Sequence, residues 1–261
     1  MRPALHAEWT KIRTVTSPLW LLLGMIAATV ALGAAATSVV TCASAGCGDM
    51  TKLSLIGVQL GQALVVILAV LVIAGEYGTG MIRTTLAAMP HRATVLAAKA
   101  VTLTGIVAAA GTIAVLGSLM AGRLLLPGHA FTITRGHPPL SVSLSPTDGP
   151  TLRAALGSIL YLTLIALFSL GVATVVRDSA TSIGIVLGLL YLVPVLSQLI
   201  GDPHWQRLLQ RIGPMSAGLA VQATTDVRSL PIGPWAGLGV TAGWAAAALL
   251  AGGLLLRMRD T

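Results

Sequence analysis

Chemistry needs side chains that donate, accept or ionise, and this sequence gathers them in one stretch. Residues 75–100 read GEYGTGMIRTTLAAMPHRATVLAAKA, with a carboxylate at Glu76, a phenol at Tyr77, an imidazole at His91 and cations at Arg83, Arg92 and Lys99. Catalysis is hard to assemble elsewhere. Ser118, Ser158 and Ser169 lie in apolar runs, but all five histidines, at 6, 91, 129, 137 and 204, fall outside them. A serine nucleophile needs a base within hydrogen-bond reach, so no catalytic residue is expected. A proton-coupled carrier usually places a carboxylate or histidine in its bundle, and the cores of the apolar runs hold no ionisable group. That class is weakened as well.

The elements that must position this stretch follow from composition. The chain has 261 residues, 55% hydrophobic and 9% charged, with a mean hydropathy of +0.89, whereas roughly a quarter of a soluble domain is charged. Six runs approach the ~17–20 apolar residues that a spanning helix needs: about 18–36, 54–75, 100–121, 154–176, 179–200 and 234–256. The expectation is an all-α integral membrane protein, a single six-helix domain over 1–261. Cations before the first run and Ala34-Ala35-Ala36 after it imitate a secretory signal. Five further runs favour an uncleaved first helix.

Lys and Arg in the connections set orientation. With the N-terminus inside, nine of the sixteen cations fall on inner segments and seven on outer ones, the inner group lying close to span ends. Both termini are expected in the cytoplasm. The net charge of +8 then reflects topology and anionic lipid, with no basic soluble domain to hold nucleic acid. Cys42 and Cys47 share the first outer loop, where a small disulfide-closed loop and two free thiols are both open readings. Metal binding there is disfavoured, since no histidine lies near.

Three connections carry amphipathic patterns. Before the first span, Leu5, Trp9 and Ile12 recur at helical spacing with Glu8, Lys11 and Arg13 turned elsewhere. This fits an interface helix with Trp at headgroup depth, or a plain positive anchor. Residues 203–212 repeat the device on the outer side, with Trp205, Leu208, Leu209 and Ile212 as the stripe. Between spans two and three, Glu76 and Tyr77 mark the exit, and Gly78 and Gly80 permit a sharp turn. Ile82, Leu86 and Met89 then form a stripe, with Arg83 and Thr84 on another, until Pro90 ends that helix and starts the next.

Inside the runs, Gly57 and Gly61, Gly184 and Gly188, and Gly239 and Gly243 have the four-residue spacing of close helix contacts, within one subunit or between two. Gln59 and Gln62 share a helix face and must find partners in the bundle, a wet pathway or a subunit interface. Pro194 should kink the fifth helix.

The run Glu76-Tyr77-Gly78-Thr79-Gly80-Met81-Ile82-Arg83-Thr84-Thr85-Leu86, followed by Pro90-His91-Arg92 and Val95-Leu96-Ala97-Ala98-Lys99, resembles the segment after the second helix in permease subunits of ABC type-2 exporters. Residues 8–13 and 212–218 are similar to that family's opening and to its outer segment before the last helix. The resemblance implies two six-helix subunits, identical or paired, with two ATPase subunits in the cytosol of a bacterium's plasma membrane. The segment at about 81–89 would be a coupling helix docked on the ATPase, and the coupling residues would be Glu76 through Leu86 together with Met89. The 261 residues contain no G-x-x-x-x-G-K-S/T phosphate loop, so ATP and Mg would sit on the partner. Two other classes stay open: a non-transporting membrane interaction or immunity protein, and an ATP-independent channel or carrier.

Overall fold

The computed structural model describes residues 16–39, 49–78, 92–125, 149–199 and 201–258. The expected interface helix with Leu5, Glu8, Trp9, Lys11, Ile12 and Arg13 lies outside these residues, as do Cys42, Cys47 and the segment Thr79, Gly80, Met81, Ile82, Arg83, Thr84, Thr85, Leu86 and Met89; of Glu76 only the backbone is described. Every regular element among the described residues is helical. Six helices are long and apolar enough to cross a membrane: Ser17–Val39, Val58–Gly75, Thr94–Leu125, Gly149–Val176, Ser179–Leu199 and Pro234–Leu256. Hydrocarbon supplies no hydrogen-bond partner, so apolar runs of this length close their backbone bonds internally as helices.

In chain order the elements are α1 (Thr16–Val39), α2 (Met50–Ser54), α3 (Val58–Gly78), α4 (Arg92–Leu125), α5 (Gly149–Val176), α6 (Ser179–Leu187), a π-helical turn (Gly188–Leu192), α7 (Val193–Leu199), α8 (Pro203–Ile212), α9 (Pro214–Gly218), two 3-10 turns (Leu219–Gln222 and Val227–Ser229) and α10 (Pro234–Met258). The fourth span, α5, is the hub. It packs against α3, α4, α6 and α10 and against the turn at 219–222, and Tyr161, Leu162, Ile165 and Leu170 are wholly enclosed. The first and fifth spans turn most of their surface outward, with Trp20, Leu23, Val195 and Leu199 exposed.

Several sequence expectations are corrected. The second span does not begin at 54: α2 ends at Ser54, a turn covers 55–57, and the long helix starts at Val58. The same helix runs on through Gly78, so Glu76, Tyr77 and Gly78 close its last turn instead of forming the loop. Helix-forming residues continue past the apolar limits of the third span, and α4 covers 92–125. Lys99 is therefore inside the bundle, 1% exposed. The fifth span answers Pro194 with a π turn directly before it, the wider pairing absorbing the amide that proline lacks.

The small-residue pairs divide. A Cβ on Gly57 would collide with the Thr29 carbonyl and one on Gly61 with the Thr29 hydroxyl, so this pair brings α1 and α3 into backbone contact within one subunit. Around Gly184, Gly188, Gly239 and Gly243 nothing lies within 4 Å of such a Cβ. Gly57→Ala should cost about 1–3 kcal/mol through overpacking, whereas Gly239→Ala should change stability by less than about 0.5 kcal/mol. Thermal unfolding in detergent compares them, and equal midpoints would contradict the α1–α3 contact.

Candidate functional site: a polar core beneath a buried wedge

Between Ile212 and Thr224 the chain does not stay on the surface. Pro214 can open α9 because a first-turn residue needs no amide bond, and residues 213–223 are buried except for half-buried Ser216. Short helical turns in this position leave backbone groups that hydrocarbon could not satisfy, and side chains of the flanking spans supply partners. Thr241 donates to the Pro214 carbonyl at 3.1 Å and Trp244 Nε1 to the Ile212 carbonyl at 3.0 Å. On the other side, Arg153 donates to the Ala223 carbonyl at 2.7 Å, and Gln222 Nε2 to Ser158 Oγ at 3.0 Å. Glycines let the wedge sit against backbone: a Cβ on Gly237 would strike the Ala217 carbonyl, and one on Gly218 the Tyr161 ring.

Asp49 ties off the wedge. Its carboxylate caps α2 by accepting from the Lys52 amide at 3.0 Å, and it also accepts from the Thr224 hydroxyl at 2.6 Å, the Thr225 amide at 3.1 Å and the Thr224 amide. Partial burial pushes its pKa up, but these four donors, the Thr224 hydroxyl foremost, outweigh burial and hold it below the ordinary value.

Below the wedge, Gln62 and Tyr161 meet at zero exposure. The Tyr161 hydroxyl donates to Gln62 Oε1, and Gln62 Nε2 donates to Met215 Sδ at 3.2 Å. The Tyr191 hydroxyl, carried by the π turn, donates to the Gln59 carbonyl. Spans two, four and five and the wedge thus converge on one neutral polar layer. It lies about one turn, ~6 Å, below the start of α3. Of the two glutamines on one face of α3, Gln62 finds its partners in the bundle through its side chain, whereas Gln59 is engaged through its backbone. Tyr161, Tyr191, Met215, Gln222 and Asp49 were not picked out from sequence. The two tyrosines had a signal, since each interrupts an apolar run and a buried phenol seeks a partner.

The end of the bundle next to residues 79–91 has its own polar contacts. Lys99 Nζ donates to the Val72 carbonyl at 3.3 Å. The Arg177 guanidinium lies 5.4 Å from the Tyr77 ring centroid, at cation–π distance. Arg177 holds φ at 64° in the two-residue link between α5 and α6, a region costly for a non-glycine residue. Among the described residues no group of three or more His, Cys, Asp or Glu could hold a metal ion. No family model matches the chain, and no curated protein matches it.

Two measurements test this geometry. Tyr161→Phe leaves Gln62 Oε1 without its donor and should lower stability by about 0.5–2 kcal/mol, read by thermal unfolding. Because the Asp49 pKa is depressed on folding, its stabilisation is complete above the unfolded value near 3.8 and is lost as pH falls through the lower folded value. Asp49→Asn should therefore flatten the acid side of the stability profile below about pH 5. An unchanged slope would count against the carboxylate as the tie.

Proposed function

We propose that this chain is the membrane-spanning permease subunit of an ATP-binding-cassette exporter of the type-2 kind. It would work as one half of a pair of six-helix subunits, identical or not, with two cytosolic ATPases that carry ATP and Mg. The observation that carries the reading is the 76–99 pattern, whose two ends fall on the inner ends of α3 and α4. Helices joined to a docked segment there would deliver motion to the hub helix α5, which both of them touch.

In this scheme closure of the ATPase dimer displaces residues 81–89, and α3 and α4 follow. The wedge at 213–223 and the Gln62–Tyr161 layer form the outer closure, which must loosen for substrate to leave. Neutral hydrogen bonds suit such a gate, because each can exchange for water without stranding a charge in hydrocarbon. The stripe of α8, with Trp205 and Ile212 exposed, would rest in the outer headgroup layer. Exposed Gly184 and half-buried Gly188, each with open space where a Cβ would sit, would face lipid or the second permease. Both termini would be cytoplasmic, in a bacterial plasma membrane, with lipid as the remaining partner.

Buried Lys99 favours a second reading, an ion-coupled carrier, because it supplies the intramembrane ionisable group that such a carrier requires. The two separate experimentally. Under the permease reading, an ATPase co-purifies with the native chain and is lost on Arg83→Glu combined with Leu86→Asp. Flux into proteoliposomes without ATP, together with undiminished ATPase capture by the double variant, would overturn the docking role.

A further inference from the structure

A cation in the middle of an apolar helix pair calls for a reason beyond packing. Leucine or methionine would fill the Lys99 position without desolvating an ammonium, and buried charges are often matched or bettered by apolar residues of similar volume. Lys99 lies among Val95, Leu96, Ala98 and Leu103 of its own helix, all buried, and its ammonium reaches across to the Val72 carbonyl at 3.3 Å. A carbonyl has two lone pairs, so Val72 can take this bond and keep its place in the α3 ladder.

The position of the bond gives it meaning. α3 and α4 are the two helices that flank residues 79–91, yet they touch each other little along their lengths, each packing instead mainly on α1 and α5. Val72 is six residues before the end of α3 and Lys99 seven after the start of α4, about 9–11 Å from either end at the helical rise. The bond therefore joins directly two legs that otherwise meet mainly through α1 and α5, just above the segment that connects them.

We infer that Lys99 is a positioning residue, a brace that makes the inner ends of α3 and α4 move as one body. The inference deepens the proposed function, since a segment pushing on two unjoined legs would splay them and lose displacement before it reached α5. The brace itself belongs to this chain alone and needs no ATPase to be seen. Lys99→Arg keeps a cationic donor of sufficient length. Lys99→Met keeps an unbranched stem and removes the donor, and in Lys99→Gln the amide arm is one bond shorter and stops short of Val72.

The test places spin labels at outward-facing Leu71 and Val101, in the full-length chain with Cys42→Ser and Cys47→Ser, in phospholipid nanodiscs. Distances are read by pulsed electron spin resonance. The expected result is a narrow distribution for Lys99 and Lys99→Arg, and one shifted or broadened by about 2 Å, the scale of helix shifts, for Lys99→Met and Lys99→Gln. Unchanged distributions in both neutral variants would overturn the brace, as would an Arg variant as broad as Met. If Lys99→Met does not fold, the Gln variant alone decides. ATPase capture by the same preparations separates the two ideas: broadening without any captured ATPase keeps the brace and sinks the permease reading, and capture without broadening does the reverse.

Discussion

Hydrocarbon offers no hydrogen bond, and the long helices and the wedge among the described residues answer to that shortage. The six long helices satisfy their backbones internally. Where short helical turns replace a long helix, at residues 213–223, they lie buried in protein, and side chains of α5 and α10 close the open carbonyls at Ile212, Pro214 and Ala223. The same shortage explains why the polar residues of the bundle occur in bonded groups: Gln62 with Tyr161 and Met215, Gln222 with Ser158, Tyr191 with the α3 backbone.

The two ends of the bundle solve different problems. At one end a wedge is held by many modest bonds from several elements, with the partly exposed Asp49 carboxylate at its margin. The other end is sparser and more charged, with Lys99 across the α3–α4 gap and Arg177 over Tyr77. Neutral bonds can break and re-form with water in a gate, whereas a buried ammonium binds its carbonyl more strongly and suits a joint that must hold. This contrast in chemistry is what an outer closure and an inner transmission would require of one bundle.

Close packing supplies the rigidity that both ends need. Gly57 and Gly61 let α1 approach α3, and Gly171 and Gly252 let α5 approach α10. Glycines on the outward faces of spans five and six have open space beside them. The same residue type at the same four-residue spacing thus has two environments, and spacing alone could not separate them.

Six spans, their order and the helical class were legible in the sequence because apolar run length is a property of the chain itself and of its solvent. Amphipathic residues 203–212 were legible for the same reason, and the helix appears there with Asp202 as its cap. Span limits were less so: polar residues such as Arg153 and Lys99 look like loop, but the helices run through them, and each donates to a carbonyl of a neighbouring element. The wedge at 213–223 was not legible, since no local pattern says that a Pro- and Gly-containing connection will be drawn into a bundle. Nor were the partners of Gln62, 99 residues away at Tyr161 and 153 away at Met215. Side chains this far apart in the chain are brought together only by the packing of helices on α5, so the polar layer and the Lys99 brace are decisions of the tertiary structure.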